Sequence, residues 1–273
     1  MDGGRGSLQR RIALAVVAVL LAANAQAGEQ PRCRPEAIGA ASVRAVVDGR
    51  TVSLQDGREV RLAGIEVPHR GHGDAAARAG KTALEALLAG RDISLLRLGP
   101  ERDRYGRLSA LVLIAPAAVP EGRNSVQLAL LAQGFARVAA RVGDAACAAG
   151  FFAAERAARA AGLGLWSDTR YVVKKAENAD HILAERGRFA LVEGRVLSVR
   201  ESGATIYVNF GRRWTEDFTV TTPKRNQRRF AESGLELKQL AGRHVRVRGT
   251  IEERGGPWIE AMHPEQIEVV ERE

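Results

Sequence analysis

Four basic side chains in the C-terminal half of the chain have the types and spacing to bind a polyanion. They share one side of a short predicted helix: Lys224, Arg225, Arg228 and Arg229. Their positions i, i+1, i+4 and i+5 bring them together, because residues four apart are neighbours on a helix. Such a group can contact nucleic acid or another anionic surface. It is also typical of the solvated face of an ordinary helix, and the sequence favours that second interpretation.

Aromatic side chains in the same half could stack on nucleic-acid bases, as they do in proteins that bind single strands. They are Tyr207, Phe210, Trp214, Phe218 and Trp258. The alternative is that they form the core or the rim of a small barrel, which is the more frequent use of such residues. Trp214 is flanked by Arg212, Arg213 and Glu216, and it is the best candidate for an exposed aromatic contact.

The N-terminus has the three-part pattern of a secretory signal peptide. A basic head precedes an apolar run of 12 residues, Ile12 to Ala23, and Ala25 and Ala27 supply the small residues of a cleavage site. As a helix, the run spans about 18 Å, which is too short for the alternative of a membrane anchor. We therefore predict cleavage after Ala27, a periplasmic or secreted protein, and no stable membrane span after cleavage.

Export places the two cysteines, Cys33 and Cys147, in an oxidising compartment. A single disulfide between them is the simplest outcome. The alternative is two buried thiols.

Composition narrows the class of protein. The 273 residues are 45% hydrophobic and 27% charged, which indicates a globular chain with a buried core and excludes disorder. Two cysteines exclude a disulfide-rich scaffold and a four-cysteine zinc module. Residues 28–175 carry 22 Lys and Arg against 15 Asp and Glu, a net charge of +7, whereas residues 176–273 carry 16 of each. The basic first half is thus the part expected to bind nucleic acid or another anionic polymer.

Hydrophobic patterning predicts a β-rich α+β fold with two small barrels. In the first half, strands are predicted at 42–47, 51–54, 59–65, 92–98 and 108–114, and helices at about 74–89, 124–133 and 145–161. Asp74 and Asn124 are the candidate helix caps. Five strands with interspersed helices favour an OB-like barrel.

The second half predicts another small OB-like barrel. Its strands are predicted at about 189–200, 204–210, 216–221, 244–252, 257–260 and 266–270, with a helix at 223–233 that begins at Pro223 and ends before Gly234. The predicted organisation is a signal peptide at 1–27, an N-terminal linker at 28–41, a first domain at 42–170, a linker at 171–186 and a second domain at 187–273.

The first half resembles the staphylococcal-nuclease (thermonuclease) family over about residues 42–168. The similar stretches are VDGRTV at 47–52, RLAGIEVPH at 61–69, DRYGR at 103–107, LAQGFA at 131–136 and GLWS at 164–167. The order and spacing of these stretches carry the resemblance. It implies the barrel-with-helices fold and a phosphodiester ligand.

Members of that family that cut nucleic acid use two arginines on the scissile phosphate, two aspartates that help to bind calcium, and a glutamate as general base. By position, Arg61 and Arg107 match the two arginines. Glu66 matches the second calcium-binding aspartate, and Asp48 matches an acidic residue of the first turn. The resemblance thus implies calcium as the cofactor and these four residues as the site.

Two positions depart from the family pattern. Asp-Gly-Asp-Thr is replaced by Asp48-Gly49-Arg50-Thr51, and Asp-x-Pro-Glu is replaced by Glu66-Val67-Pro68-His69. Calcium needs six to eight oxygen ligands, so Arg50 removes a ligand and adds a repulsive cation. Guanidinium groups still match phosphate oxygens, so the phosphate grip is expected to survive.

Several of these residues have a second interpretation. His69, with His72, could act as a base or bind a transition metal, but both could equally be solvated loop residues, which the glycines beside them favour. Arg61 and Arg107 could pair with Glu66 or Asp103 instead of a phosphate. Arg50 could contact the phosphate or be a solvated turn residue.

Three functions are consistent with this pattern. The first is an exported phosphodiester-binding protein with a degenerate metal and base site and weak or absent hydrolysis. The second is a working nuclease with an altered metal site that uses Glu66 and His69. The third is a noncatalytic scaffold for interactions in the cell envelope. Fold alone cannot decide among them.

Overall fold

A computed structural model describes Cys33 and residues 35–68, 74–88, 90–103, 105–114, 125–213 and 215–270. The predicted signal peptide lies outside the described residues, as do His69, His72, Asn124 and Trp214. In the described part of the chain, no helix is long and apolar enough to cross a membrane.

Residues 37–114 form a closed barrel of five strands, which confirms the predicted barrel. The strands of this half of the chain are β1 (Ala37–Asp48), β2 (Thr51–Leu54), β3 (Glu59–Leu62), β4 (Ile65–Glu66), β5 (Asp92–Arg102), β6 (Leu108–Ile114) and β7 (Arg137–Val138). The barrel order is β1-β2-β3-β6-β5, and β3 pairs with β6 in parallel. β2 is buried along its whole length, because its side chains face either the barrel interior or the covering helices.

β1 and β5 are longer than the sequence predicts. β1 begins at Ala37, where it pairs with Leu96 of β5, and β5 continues to Arg102, which pairs with Leu108 of β6. The extra residues are mostly exposed, so their apolar pattern is weak. Their strand conformation comes from cross-strand pairing, which local patterning does not reveal.

Three helices cover the barrel, close to the predicted positions: α1 (Asp74–Leu88), α2 (Val126–Ala132) and α3 (Ala145–Ala160). Ser125 caps α2, since its side chain accepts a hydrogen bond from the Leu128 backbone N–H. Asp144 caps α3 in the same way and accepts from the Cys147 backbone N–H at 2.8 Å.

A disulfide joins Cys33 to Cys147 at the first turn of α3, as predicted. It closes a loop with a sequence separation of 114 residues. The chain-entropy model assigns a loop of that length about 4–5 kcal/mol of stabilisation.

The LAQGFA and GLWS stretches meet backbone to backbone. Gly134 ends α2, Gly164 begins a 3-10 helix, and both have positive φ angles, 75° and 54°. A Cβ on Gly134 would lie 2.2 Å from the carbonyl oxygen of Leu163, and one on Gly164 would lie 2.6 Å from that of Gly134. Only glycine permits this close approach of the two backbones. The approach holds the 3-10 helix that begins at Gly164 against the end of α2.

The C-terminal residues form two sheets that share one core. Their strands are β8 (Lys174–Lys175), β9 (Phe189–Arg195), β10 (Ser198–Ser202), β11 (Thr205–Asn209), β12 (Thr219–Pro223), β13 (His244–Thr250), β14 (Glu252–Arg254), β15 (Gly256–Glu260) and β16 (Ile267–Val269). The sheet orders are β10-β11-β12-β15-β14 and β16-β13-β9-β8. Val192, Val208, Phe218, Phe230 and Val247 are completely or almost completely buried in the core they share. The assignment of this part as a second OB-like barrel stays a prediction.

Three C-terminal boundaries differ from the predicted ones. The strand predicted at 189–200 is two strands, because the chain turns at Val196 and Leu197. The strand predicted at 216–221 is Thr219–Pro223. The two helices among the described residues of this part of the chain are α4 (Ala179–Leu183) and α5 (Gln227–Glu232), and a 3-10 turn at Lys224–Asn226 precedes α5 where one helix is predicted at 223–233. Pro223 is both the last residue of β12 and the N-cap of that 3-10 turn.

The segment predicted as a linker, residues 171–186, is ordered structure. It contains β8, which pairs in parallel with β9, and α4, whose Ile182 is fully buried. Cys33–Glu273 cluster as one compact unit. The division of that unit into two domains stays a prediction.

A buried ion pair links the C-terminal sheet to α3. Arg248 on β13 and Glu155 on α3 are both fully buried, and the two Arg248 terminal nitrogens lie 3.1 and 2.9 Å from the two carboxylate oxygens. Arg248 also donates to the Val138 carbonyl oxygen at 3.0 Å and pairs with Glu268. Glu155 accepts from the Val138 backbone N–H at 2.7 Å. Each charge therefore has several partners, which a buried ion pair requires.

We expect Arg248→Met to lower the free energy of unfolding by about 3–5 kcal/mol, because it leaves Glu155 buried without its main counter-charge. Urea unfolding followed by circular dichroism measures the change. The matched control is Arg248→Met combined with Glu155→Gln, which should recover part of the loss because the uncompensated carboxylate is gone. A single-variant change below about 1 kcal/mol would show that the pair is not a stabilising connection.

Candidate functional site

The structure brings five of the predicted site residues into one cleft of about 790 Å³: Asp48, Arg50, Arg61, Glu66 and Arg107. The barrel turns and the segment 139–142 supply most of its walls. Phe189 and Thr250, which face each other at one end of the β9–β13 pairing, complete it. The cleft is thus built from both halves of the chain.

Arg50 occupies the turn between β1 and β2, and its side chain is buried. The Asp48 carboxylate accepts a hydrogen bond from the Arg50 backbone N–H at 2.9 Å, which holds the turn. The Arg50 guanidinium lies 2.5 Å from the Glu66 carboxylate and 3.5 Å from the Ile65 carbonyl oxygen. Only 4% of Arg50 is exposed, so it is not a solvated turn residue.

Arg61 lies on β3, opposite Thr51 in the strand register. Its guanidinium makes no hydrogen bond or ion pair to any described residue, although Glu66 and Asp103 line the same cleft. Burial lowers the pKa of Arg61, and the positive charges of Arg50 and Arg107 lower it further, while Glu66 and Asp103 oppose this only in part. Arg61 is therefore a half-buried cation whose electrostatic surroundings favour an added anion.

Arg107 is held by the turn that contains it. The Asp103 carboxylate accepts hydrogen bonds from the Tyr105 and Arg107 backbone N–H groups at 2.9 and 3.1 Å. The same carboxylate pairs with the Arg107 guanidinium at 2.7 Å, so this predicted alternative pairing is present. The guanidinium also lies 5.1 Å from the ring centre of Tyr105, which is 66% exposed. The turn therefore fixes the direction of Arg107 at the cleft wall.

Carboxylates in the cleft are engaged by arginines and backbone N–H groups. Glu66 binds Arg50, Asp103 binds Arg107, and Asp48 accepts from the Arg50 backbone. Among the described residues, one group of three His, Cys, Asp or Glu side chains has its donor atoms close enough together to hold a metal ion: Cys33, Asp144 and Cys147. The two cysteines of this group form the disulfide.

The basic residues of the predicted C-terminal helix lie elsewhere. In the described part of the chain, none of the four lines the cleft. Lys224 pairs with Glu201 at 2.7 Å, Arg228 pairs with Glu232 at 2.7 Å, and Arg225 is exposed. Arg229 lies 3.2 Å from the His263 ring. These contacts fit the solvated-face interpretation that the sequence favours.

Two of the aromatic candidates are core residues. Phe218 is fully buried, and Phe210 packs against it with ring centres 4.9 Å apart. Tyr207 and Trp258 meet edge to face at 6.0 Å and line a separate cavity of about 650 Å³ on the β10–β12 sheet. Phe218 is therefore unavailable for stacking on a base, whereas Tyr207 stays a candidate.

Sequence reasoning missed the residues beside Glu66. Glu66 is opposite Arg137 in the β4–β7 ladder, and the Arg137 guanidinium lies 5.3 and 5.0 Å from the ring centres of Tyr171 and Phe189. Arg137 comes directly after the LAQGFA stretch, and its position beside that family-like stretch was the signal that could have identified it. Tyr171 and Phe189 could not be found from the sequence, because their position depends on how the C-terminal residues pack.

Comparison with known families finds one match. Residues 59–168 match a family model described as Staphylococcal nuclease homologue. The matched residues include Arg61, Glu66 and Arg107, whereas Asp48 and Arg50 precede them. A search of curated proteins finds no match.

We expect the Asp103–Arg107 pair to make stability depend on acid pH. Burial alone raises the pKa of Asp103, but the hydrogen bonds from Arg107 and the Tyr105 backbone outweigh it, so the pKa lies below its ordinary value of 3.8. A depressed pKa means that the stabilisation is complete above the ordinary value and is lost as pH falls through the folded-state value. Asp103→Asn keeps an acceptor for the turn but removes the charge.

The unfolding free energies of the wild type and Asp103→Asn should therefore differ at pH 7 and converge as pH falls below the ordinary value of 3.8 and through the lower folded-state value. Urea titrations over this range provide the measurement. A difference that stays constant or widens at acid pH contradicts the assigned direction.

Proposed function

Because the chain contains a staphylococcal-nuclease-like domain, we propose that it is an exported protein that binds phosphodiester groups of nucleic acid and hydrolyses them weakly or not at all. The observation that carries the proposal is the arginine arrangement of the cleft. Arg61 has no carboxylate partner among the described residues, whereas Glu66, a potential metal ligand, is bound by Arg50.

Arg61 and Arg107 supply the phosphate grip in this proposal. Burial and then the charges of Arg50 and Arg107 lower the pKa of Arg61, and a phosphate added beside its guanidinium would offset both effects. Arginine binds phosphate oxygens through paired N–H donors, and such charge-assisted hydrogen bonds are the stronger kind. Arg107 retains donors because its guanidinium has five N–H groups, and only Nε and one terminal nitrogen contact the Asp103 carboxylate.

Arg50 opposes calcium binding in two ways. Its cation lies 2.5 Å from the Glu66 oxygen that a calcium ion would need, and it replaces the acidic residue that the family pattern has in the turn. Calcium sites are rich in carboxylate and have six to eight oxygen ligands. The described donor set does not fit calcium.

Hydrolysis also requires a base to activate water. Glu66 is a poor candidate because its carboxylate already accepts from Arg50. The position where the family has its glutamate base is His69, which lies outside the described residues. Strong phosphate binding without water activation is the outcome that this chemistry favours.

Two observations of different kinds support the proposed export of the protein. The N-terminal pattern is that of a signal peptide. The Cys33–Cys147 disulfide is of the sort that persists in oxidising compartments. A periplasmic or secreted protein accounts for both.

We expect Arg61→Gln to weaken binding of a fluorescent single-stranded oligothymidylate about 10–100-fold, since one charge-assisted phosphate contact is lost. The salt dependence should also fall by about 0.7 in the slope of log K against log salt, the value for one contact to a single strand. Arg225→Gln is the charge-matched control, because Arg225 is exposed and lies outside the cleft. Fluorescence anisotropy at several salt concentrations provides both quantities.

The same oligonucleotide tests the competing functions. Digestion is followed with calcium, zinc, manganese or a chelator, and we expect little cleavage in any of them. Efficient cleavage with one metal would establish the altered-site nuclease instead. Equal and weak binding by wild type, Arg61→Gln and Arg225→Gln would favour the scaffold.

We expect that restoring the family pattern with Arg50→Asp, Glu66→Asp and His69→Glu raises calcium-dependent hydrolysis of single-stranded DNA. The variant removes the cation that binds the Glu66 position and adds carboxylate ligands and a base. Metal-free binding should weaken at the same time, because the cleft becomes more negative. Arg50→Asp alone is the matched control for the loss of positive charge.

Hydrolysis by the triple variant is compared with that of the wild type with calcium and with chelator. Strong calcium-dependent cutting by the wild type is the result that contradicts the role given to Arg50. No gain by the variant would mean that surroundings beyond these three positions also prevent catalysis.

A further inference from the structure

A second cavity, of about 280 Å³, shares part of its wall with the cleft. Both are lined by Glu66 and Phe189, and both reach Thr250. The remaining polar lining of this cavity is Arg137, Arg170, Tyr171, Glu185 and Arg188. We call it the Arg137 cavity.

Arg137 is a buried cation without a counter-charge. Only 6% of the residue is exposed, and no described carboxylate lies within ion-pairing distance of its guanidinium. Its Nε atom is buried and has no hydrogen-bond partner. Burial lowers the pKa of Arg137, which the charges of Glu66 and Glu155 only partly oppose. A buried charge without a bonded partner is costly, so its presence calls for an explanation.

Arg137 lacks a bonded carboxylate partly because Glu66 binds another arginine. Glu66 is directly opposite Arg137 in the β4–β7 register, where an ion pair between facing side chains would be expected. The Glu66 carboxylate instead binds Arg50, at 2.5 Å. Arg50 therefore leaves Arg137 without the partner that the strand register offers.

A second donor in the same cavity is also unsatisfied. The Tyr171 hydroxyl is buried, has no hydrogen-bond partner, and belongs to a residue that is 9% exposed. The Arg137 guanidinium lies over the ring of that tyrosine at 5.3 Å. Two unsatisfied donor groups, one of them cationic, thus line one enclosure.

The other charges of the cavity are already balanced. Arg170 pairs with Asp168 at 2.5 Å. Glu185 pairs with Lys174 at 3.1 Å and with Arg188 at 3.5 Å. The uncompensated charge of the cavity is therefore the positive charge of Arg137, which favours an anionic ligand.

We propose that the Arg137 cavity binds a second phosphate of the nucleic-acid strand whose first phosphate lies in the cleft. This inference rests on the proposed function. Nucleic acid is a chain of regularly spaced anions, and the shared wall at Glu66 and Phe189 lets one strand occupy both cavities. Arg137 and the Tyr171 hydroxyl donate to the phosphate oxygens, and the Phe189 ring lies beside the strand between the two phosphates.

The test compares ligands that differ in the number of phosphates. Thymidine 5′-monophosphate and oligothymidylates with two to six phosphates are titrated against wild type, Arg137→Met and Tyr171→Phe, with Arg225→Gln as the charge-matched control. In the wild type, affinity should rise by about 10-fold or more when a second phosphate becomes available, because a charge-assisted contact is added. Arg137→Met should lose that rise and keep the affinity for the monophosphate.

A measurement of unfolding stability distinguishes a ligand-binding role of Arg137 from a structural role. Methionine fills much of the space of the arginine without its charge, so Arg137→Met should unfold at the same urea concentration as the wild type or a higher one. Tyr171→Phe keeps the ring and removes only the hydroxyl, and we expect it to lose about 2–10-fold of the affinity gain. If Arg137→Met does not fold, Tyr171→Phe decides the matter.

Three outcomes overturn the inference. One is an unchanged length dependence in both variants, and another is a loss of folding by Arg137→Met with normal length dependence in Tyr171→Phe. The third is a wild type that binds the monophosphate and gains nothing from a second phosphate. If the wild type binds none of the probes, the proposed function itself fails, and the inference fails with it.

Discussion

The cleft depends on the buried ion pair that connects the two halves of the chain. Arg248 extends from the C-terminal sheet to Glu155 on α3, and it also binds the backbone of Val138 next to the ladder that carries Glu66. Thr250, two residues after Arg248 on β13, lines the cleft, and Phe189 lies opposite it in the register. The Arg248–Glu155 contact holds α3 against the C-terminal sheet. The same contact thus also positions Phe189 and Thr250, the part of the cleft wall that the barrel does not supply.

The same network explains why Glu155 is not available to the neighbouring arginine. Its two oxygens accept from Arg248 and from the Val138 backbone N–H, and Arg159 lies 3.8 Å away. Arg137 on the adjacent strand therefore finds both nearby carboxylates engaged, Glu155 by Arg248 and Glu66 by Arg50. Paired buried charges stabilise a fold only when they are well satisfied, and the carboxylates that bind Arg248 and Arg50 are the ones whose charges act on Arg137.

Hydrophobic patterning predicted the barrel because apolar and polar residues alternate along some of its strands, other strands are wholly apolar, and glycines occur in its turns. The family resemblance grouped Arg61, Glu66 and Arg107 as site residues, and the structure brings these three into one cleft. The sequence could not reveal that Arg50 pairs with Glu66, because these residues are 16 apart and meet only when β4 is placed beside the β1–β2 turn. Ordered structure in residues 171–186 was missed for a related reason: two lysines and a five-residue helix have little periodicity of their own.

Three of the buried arginines in the described part of the chain differ in the groups that bind them, and this difference separates a structural role from a functional one. Arg248 is enclosed by two carboxylates and a carbonyl, so its charge stabilises the fold. Arg50 is bound by the Glu66 carboxylate at the edge of the cleft, so its charge adjusts the electrostatics of a site. Arg137 lies close to two aromatic rings and has no bonded anion among the described residues. Because folding alone does not favour such a group, its partner is most reasonably sought outside the chain, in an anion that the protein binds.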